Sequence, residues 1–414
     1  MKNKISVFSF LKRDSLKSLS ASLLSVFVGI SAGALIIIFV SVFSEEISFN
    51  DALDGIKLIF FGVLSKGRDL SGELVFGFSK MNIGNMLFRA MPVIMTGLSV
   101  AFAFKAGLFN IGAPGQYLIG TAGTLITALS IPSEIMPPFI IWILAFLMGM
   151  LSGALWGLIP GIFRAYFGIS EVLSSIMTNW ISANLVTWIF ESSPLRYSAE
   201  TGKTGYIMKT AENSVMTPKL GLDRIFEDSQ INSGIIIACI FAIAVYVIIS
   251  KTTFGFELKA LGLGRNAAEY AGIKTKRLIM KTLAIAGSLS GGSAALYYLS
   301  GNTEFFWATY QSLPKEGFNG IPVALLALSN PIGVIFSSMF LSALNISGQQ
   351  LKTFTPLDGN ITDIVSAVIV YLSAFSLLMK NFIQGHKSKK NKVSSFPFNI
   401  TKRETQTEER RAEE

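Results

Sequence analysis

The sequence has almost none of the residues that build disulfides and metal centres. Its 414 residues include one cysteine, Cys239, inside an apolar run, and one histidine, His386, in a polar stretch. A single cysteine forms neither a disulfide framework nor a thiolate cluster. Histidine-based catalysis or metal binding needs partners that this chain does not supply. We therefore expect no catalytic residue, no metal site and no cofactor bound by this chain.

Charge is also scarce. Charged residues make up 15% of the chain, hydrophobic residues make up 51%, and the mean hydropathy is +0.53. Soluble domains carry about 25% charged residues, so this balance indicates a surface that largely faces lipid and excludes a soluble enzyme. The net charge of +9 lies in short basic clusters between apolar runs. Such placement sets membrane orientation rather than binding nucleic acid.

Eight apolar runs have the length of a membrane-spanning helix, which needs about 20 residues to cross roughly 30 Å. They cover residues 20–43, 84–104, 115–131, 138–162, 172–190, 231–250, 278–300 and 361–381. A further apolar stretch, 320–347, is interrupted by Asn330 and Pro331. Two short helices are expected there, because proline breaks helical hydrogen bonding. The sequence predicts an all-α polytopic membrane protein with eight to ten transmembrane helices, some re-entrant or broken.

The distribution of charge predicts the orientation. Residues 1–19 carry five basic residues and are expected in the cytoplasm; the apolar run after them is too long for a cleaved signal peptide. Residues 44–82 and 191–230 then form external loops. Within the first, the spacing of Leu53, Ile56, Phe60 and Leu64 predicts an interfacial helix over 49–64. Residues 251–281, with seven bases and two acids, form a cytoplasmic loop. The basic tail, 382–414, is expected to be cytoplasmic and disordered.

The predicted transmembrane domain therefore covers residues 20–381. Because the chain at residue 281 and the tail both lie inside, an even number of crossings must separate them. The runs 278–300 and 361–381 supply two crossings, so the stretch 320–347 must enter and leave by the same face. A re-entrant hairpin and two short spans both satisfy this condition.

Small residues recur at helical spacing in two of the predicted spans. Glycines four residues apart line one face of each span: Gly149, Gly153, Gly157 and Gly161 in the first, Gly287 and Gly291 in the second. Such stripes let helix backbones approach closely. They predict tight packing within the chain, and contact with a second subunit is the alternative.

Four ionisable residues lie near or within predicted spans: Arg89, Lys105, Glu171 and Lys281. Such groups are costly in hydrocarbon and often functional. The two lysines are close enough to helix ends to extend their ammonium groups to water. Glu171 opens a span and suits the positive end of the helix dipole.

Residues 201–204 read Thr-Gly-Lys-Thr, like the end of a phosphate-binding loop. That loop needs a glycine five positions before its second glycine, and this chain has Tyr197 there. The segment also falls on the predicted outer side, away from cytoplasmic ATP. Any ATP must be hydrolysed by another chain.

Residues 106–116 link two spans with three glycines and one proline. Irregular backbone at membrane depth occurs only where protein or a water-filled cavity covers it. Asn110 and Gln116 are therefore candidates for lining a solute path, and a tight turn at the cytoplasmic interface is the alternative. Asn179 and Asn330 are further candidates for the path, although a helix–helix hydrogen bond explains Asn179 equally well.

The cytoplasmic stretch 254–273 is the most informative polar segment. Residues 265–271 can form a short amphipathic helix between Gly264 and Gly272. A short helix held between two spans is suited to docking in a groove of a partner. An ordinary solvated loop is the alternative.

Three stretches of the chain resemble a known family. They are 96–105 (TGLSVAFAFK) continuing to residue 116, 254–273 (FGFELKALGLGRNAAEYAGI), and 320–326 (GIPVALL) followed by NPIG. They resemble permease subunits of bacterial ABC importers in the branched-chain amino acid, simple sugar and nucleoside group. The resemblance covers roughly residues 84–381 and is greatest to the larger permease of nucleoside importers. It departs at Pro114, where the family usually has an acidic residue, so that residue's contacts are not carried over.

The resemblance implies a division of labour. Two permeases form the pathway in the bacterial plasma membrane, cytoplasmic ATPases use ATP to drive alternating access, and an external substrate-binding lipoprotein delivers the solute. The implied solute is a nucleoside, with a simple sugar as the alternative. The implied ATPase-coupling segment consists of Gly262, Gly264, Arg265, Asn266, Ala267, Ala268, Tyr270 and Gly272.

Two other classes of function fit the sequence less well. An ion-coupled secondary transporter needs carboxylates in mid-span, whereas Glu171 lies at the edge of a span and Asp363 lies near an end. An intramembrane enzyme needs paired catalytic groups at membrane depth, and the sequence shows none.

Overall fold

The apolar runs fold into helices, and one small hairpin interrupts them in the part of the chain that is described. The computed structural model describes residues 26–43, 47–195, 202–207, 209, 215–308, 312–357, 361, 363–365, 367–368 and 371. The helices are α1 Val26–Phe43, α2 Phe49–Phe61, α3 Lys80–Lys105, α4 Ala113–Ser130, α5 Pro138–Tyr166, α6 Glu171–Glu191, α7 Leu222–Ile225, α8 Gly234–Lys251, α9 Thr253–Leu263, α10 Arg265–Tyr270, α11 Thr275–Tyr298, α12 Lys315–Leu326 and α13 Pro331–Phe354. Strands β1 Ser65–Arg68 and β2 Leu74–Phe76 pair antiparallel. The predicted all-α class is confirmed, with the hairpin as its exception.

The two ends of the chain lie outside this description. The predicted cytoplasmic segment 1–19, most of the predicted last span 361–381 and the predicted tail 382–414 are not among the described residues. Their assignments stay predictions.

Within the described residues, five helices are long and apolar enough to cross a membrane: α1, α3, α5, α8 and α13. Helices α4, α6 and α11 have 18, 21 and 24 residues. At 1.5 Å per residue they extend about 27 to 36 Å, which is also a spanning length. Seven of the eight predicted runs therefore coincide with long helices, and the eighth lies mostly outside the description.

The predicted break at Asn330 and Pro331 is confirmed. Helix α12 ends at Leu326, and the Asn330 side chain accepts a hydrogen bond from the Ile332 amide at 3.0 Å, which caps α13. The prediction of two short helices is wrong for the second, because α13 has 24 residues and continues to Phe354. Its last turns carry polar residues on one side and bury Leu351 on the other, so the apolar run ends before the helix does.

Helices α12 and α13 form a hairpin that returns to the side from which it came. The first turn of α12 and the last turns of α13 line one common cavity, together with Arg89 of α3. The end of α13 contacts the β-hairpin, because Arg68 donates a 2.8 Å hydrogen bond to the Phe354 carbonyl. The hairpin belongs to the segment 44–82 that is predicted to be external, so this end of α13 is predicted to be external as well. Charge parity predicts the same arrangement for this segment.

The glycine stripes meet each other inside the chain. A Cβ placed on Gly153 of α5 would lie 2.3 Å from the carbonyl oxygen of Gly287 of α11. One placed on Gly291 would lie 2.2 Å from the carbonyl oxygen of Gly149. Only glycine permits this approach of two backbones. The prediction of tight packing within the chain is confirmed.

Buried apolar side chains form two clusters. The larger one contains residues of the four helices from α3 through α6 and of α8, α11 and α12, and it includes Val334 near the start of α13. The smaller one contains Ile37 of α1, Leu58 of α2, and Leu344 and Leu351 from the second half of α13. Helix α13 is therefore shared between the two clusters. Within the predicted external segment 44–82, α2 lies where a helix over 49–64 is predicted, whereas the β-hairpin was not predicted.

Candidate functional site

The predicted coupling segment folds as two short helices. Helix α9 begins where the Thr252 hydroxyl accepts a 3.1 Å hydrogen bond from the Gly255 amide, and it ends at Gly264, whose backbone is extended. Helix α10 follows, so the predicted helix is confirmed and the solvated-loop alternative is wrong. Helix α9 was not predicted, because two glycines within its eleven residues obscure the helical pattern.

Helix α10 is anchored at one side and exposed at the other. Ala268 is buried, whereas Asn266 and Ala267 are exposed and Tyr270 is 97% exposed. Leu263, immediately before the helix, is 92% exposed. Large apolar groups presented this fully at the end of a loop offer anchors to a partner.

Glu269 fixes α10 to the start of α11. Its carboxylate accepts a short hydrogen bond from the Thr275 hydroxyl and lies 3.5 Å from the Arg265 Nε. The Thr275 hydrogen bond, assisted by Arg265, lowers the pKa of Glu269 below its usual range despite some opposing desolvation. Gly272 then reverses the chain with a φ of +82°, a conformation that favours glycine.

The coupling segment rests directly on the turn between α3 and α4. A Cβ on Gly262 would lie 2.4 Å from the carbonyl oxygen of Lys105 and 3.1 Å from the amide nitrogen of Gly107. Gly107 itself has a φ of +68° and lies against Gly262. Two backbones thus touch without an intervening side chain, so a shift of α9 is passed to this turn with little slack.

The turn between α3 and α4 extends from this contact to the middle of the helix bundle. Gly107 lies beside Gly262, whereas Ala113 accepts a 2.7 Å hydrogen bond from Ser290, more than halfway along α11. The stretch is therefore irregular backbone covered by protein. The solute path and the tight turn at the cytoplasmic interface both stay predictions.

Asn110 and Gln116 lock this turn through a reciprocal pair of hydrogen bonds. Asn110 Nδ2 donates to Gln116 Oε1 at 2.9 Å, and Gln116 Nε2 donates to Asn110 Oδ1 at 3.0 Å. Asn110 Nδ2 also donates to Ser99 Oγ at 2.9 Å. Both amides are buried and have partners within the protein.

Asn179 holds the same turn from α6. Its Nδ2 donates to the Ile111 carbonyl at 3.0 Å, and its Oδ1 accepts from the Gly115 amide at 3.0 Å. The structure therefore brings Asn110, Gln116 and Asn179 together and buries them. Asn330 is separate from them, exposed at the start of α13. The assignment of these four to a solute path stays a prediction.

Glu171 contacts the turn between α3 and α4 near the group of Asn110, Gln116 and Asn179. Its carboxylate accepts a 3.3 Å hydrogen bond from the Phe109 amide and lies 3.1 Å from the Arg164 Nε. The residue thus joins α5, α6 and the turn. Pro114 lies in the first turn of α4 and packs against Gly317 of α12, where a Cβ would meet the proline Cα at 2.5 Å.

A cavity of about 580 Å³ lies between α3, α11, α12, α13 and the described part of 361–371. Arg89 lines it, together with residues of α12 and α13 that the apolar pattern did not single out. The ionisable residue within an apolar span was the one sequence signal that pointed here.

Comparison with known proteins now identifies the family. A family model described as branched-chain amino acid transport system / permease component matches residues 82–374. The chain belongs to this permease family. The guanosine ABC transporter permease protein NupP of Bacillus subtilis is 33% identical over 91% of this chain and 98% of its own length. The nucleoside ABC transporter permease protein NupB of Lactococcus lactis is 35% identical over 73% of this chain and 81% of its own.

A more distant relative has a different named cargo. The glucose ABC transporter permease protein TsgB13 of Haloferax volcanii is 28% identical over 73% of this chain and 80% of its own length. The chain is therefore a multi-pass membrane permease of an ABC importer, a transport subunit rather than an enzyme. The resemblance inferred from the three sequence stretches is confirmed.

Proposed function

We propose that this permease imports nucleosides across a bacterial plasma membrane, powered by ATP hydrolysis in partner ATPases. The two relatives at 33% and 35% identity carry guanosine and nucleoside in their names. The relative named for glucose is 28% identical, so a simple sugar is the second candidate. An ion-coupled secondary transporter is no longer a candidate, because the family membership is that of ABC permeases.

The contact between the coupling segment and the buried turn carries the proposed mechanism. Helix α10 presents Tyr270 to a cytoplasmic ATPase, and Gly262 passes the movement of that ATPase to the turn at Gly107. The turn bears Asn110 and Gln116 at mid-bundle. ATP-driven closure of the ATPases thus biases the permease between inward-open and outward-open states.

The remaining partners and the orientation complete the proposal. A second permease forms the other half of the pathway, and a substrate-binding lipoprotein delivers solute at the outer face. Both termini are cytoplasmic, as the basic clusters at 1–19 and 382–414 indicate. Membrane lipid surrounds the apolar outer surface, where residues such as Leu151, Leu155 and Trp188 are exposed.

Uptake in cells tests the proposed cargo. Cells that lack their own nucleoside uptake receive this permease, its second permease, the ATPases and the binding lipoprotein, and the uptake of labelled guanosine, cytidine and glucose is measured. We expect ATP-dependent nucleoside uptake and no glucose uptake. The matched control carries an ATPase unable to hydrolyse ATP. Glucose uptake without nucleoside uptake would favour the second candidate, and uptake that persists in the control would contradict the importer mechanism.

A further inference from the structure

The cavity beside Arg89 has the size and the lining of a ligand site. Its volume of about 580 Å³ lies within the range of roughly 300 to 1,000 Å³ that small-molecule sites occupy. The lining combines charged, amide, aromatic and proline side chains. A cavity that served only as lipid-facing packing would be lined by apolar groups, so this lining calls for a polar occupant.

Arg89 is the cation of this cavity that lies on a long, mostly buried helix. It is half-buried and lies nine residues after the start of α3, about 14 Å along the helix. It forms no hydrogen bond or ion pair with any of the described residues. The guanidinium therefore has five N–H donors without protein partners. A ligand rich in hydrogen-bond acceptors would provide partners for these donors.

Lys315, a second cation of the cavity, is more exposed than Arg89 and has a partner. Its ammonium lies 3.7 Å from the Asp363 carboxylate, and its side chain is 85% exposed. The cavity also contains the carboxylate Glu316 and the cation Lys352. Opposite charges therefore occur together, which suits a neutral solute with directional polar groups better than an anion.

An aromatic ring and three amides complete the lining. Tyr297 stacks on Phe88 with ring centroids 5.8 Å apart, which fixes its position in the cavity wall. Asn319, Asn345 and Gln349 line the same space. Any nucleobase can stack on an aromatic side chain, and side-chain amides can form hydrogen bonds with the edges of a base.

We propose that this cavity binds the base of a 6-oxopurine nucleoside, with the Arg89 guanidinium directed to the O6 and N7 acceptors and Tyr297 against the ring. The fork of arginine donors matches these two acceptors, and adenine presents a donor in place of O6. The inference rests on the proposed nucleoside import and assigns a site and a base preference to it.

Binding to the assembled transporter tests the assignment. The two permeases and the ATPases are placed in lipid nanodiscs without the binding lipoprotein, and guanosine is compared with 7-deazaguanosine, which lacks the N7 acceptor. We expect the affinity for 7-deazaguanosine to be about tenfold lower, because one bond of the pair is lost. In Arg89→Gln, guanosine affinity falls about tenfold and the two ligands become nearly equal.

Lys315→Gln is the matched control, because it removes a cation of the same cavity that already has a partner. We expect it to keep the preference for guanosine. Equal discrimination in wild type and Arg89→Gln would overturn the assignment, as would the absence of guanosine binding to the wild type up to millimolar concentration. If these results occur while the cells still import guanosine, only the site is wrong; if the cells import no nucleoside, the proposed function fails as well.

A second measurement leaves Arg89 in place. The single cysteine is replaced in Cys239→Ser, and Asn345→Cys then places one thiol in the cavity wall. We expect guanosine to slow its modification by a water-soluble thiol reagent several-fold, and to leave Ser71→Cys in the exposed hairpin turn unaffected. Equal rates with and without guanosine at residue 345 contradict the site. If added phospholipid slows the modification and guanosine does not, the cavity binds a lipid head group, and the proposed nucleoside site is contradicted.

Discussion

Single amide side chains fix the irregular backbone on which the proposed coupling depends. Asn179 illustrates this, because one side chain satisfies both a carbonyl and an amide of the turn between α3 and α4. Buried backbone groups without partners are strongly unfavourable. The turn therefore keeps its shape inside the helix bundle through side chains that belong to three different parts of the chain.

Replacing this asparagine should destabilise the turn. In Asn179→Ala, the Gly115 amide and the Ile111 carbonyl lose their partners, at a cost of about 1–3 kcal/mol for each buried group. We expect a lower thermal unfolding midpoint for the purified transporter. Asn184→Ala is the control, since this exposed amide of the same helix only donates to the Trp180 carbonyl. Equal midpoints in the two variants would show that the turn does not need Asn179.

Among elements, the end of α9 and the turn after α3 form a close backbone contact. Nothing but hydrogen separates the Gly262 Cα from its neighbours at Lys105 and Gly107. The adjacent Gly264 lies free of such contact, and a Cβ there meets only Ala267 at 3.8 Å. Two glycines of one segment thus have different roles.

Gly262→Ala should separate ATP hydrolysis from transport. The added Cβ would lie 2.4 Å from the Lys105 carbonyl oxygen, and such overpacking costs about 1–3 kcal/mol. Helix α9 must then move off the turn, so we expect uptake to fall on the order of tenfold while the ATPase still copurifies. Gly264→Ala should transport normally, because its backbone is extended. Normal uptake by Gly262→Ala would rule out this contact as the coupling route.

The extent of sequence prediction differs between these elements. Long apolar runs and the Asn330–Pro331 break indicated most helices, because both signals act locally. The end of α13 was missed, since its last turns are polar toward the cavity and apolar toward Leu351. The sequence pattern also did not predict that Asn110, Gln116 and Asn179 lie together, because their contact depends on how α6 packs on the turn. Arg89 is visible in the sequence as an ionisable residue within an apolar run, but its cavity forms only when four separate helices pack together.

At the scale of the whole molecule, the permease acts only in an assembly. The exposed Tyr270 and Leu263 lie on the predicted cytoplasmic face, beside a helix that is anchored through Glu269. An exposed aromatic anchor on a rigid support is the usual centre of a protein interface.

Removing these anchors should release the ATPase. In the double variant Tyr270→Ala and Leu263→Ala, we expect the amount of copurified ATPase to fall on the order of tenfold or more, while the level of permease in the membrane stays unchanged. Phe256→Ala is the control, because this residue of α9 is also exposed, at 70%. Equal loss of ATPase in the control would mean that general apolar exposure, and not α10, holds the partner.

The division of the buried apolar residues into two clusters has a mechanical consequence. The two clusters share no buried residue, although Leu341 packs against both, and α13 alone among the long helices contributes buried residues to both in the described part of the chain. Sliding along their common boundary therefore exposes less apolar surface than deforming either cluster. Arg89 and α12 lie on one side of this boundary and the last turns of α13 on the other, so a small slip there would widen or narrow the cavity directly.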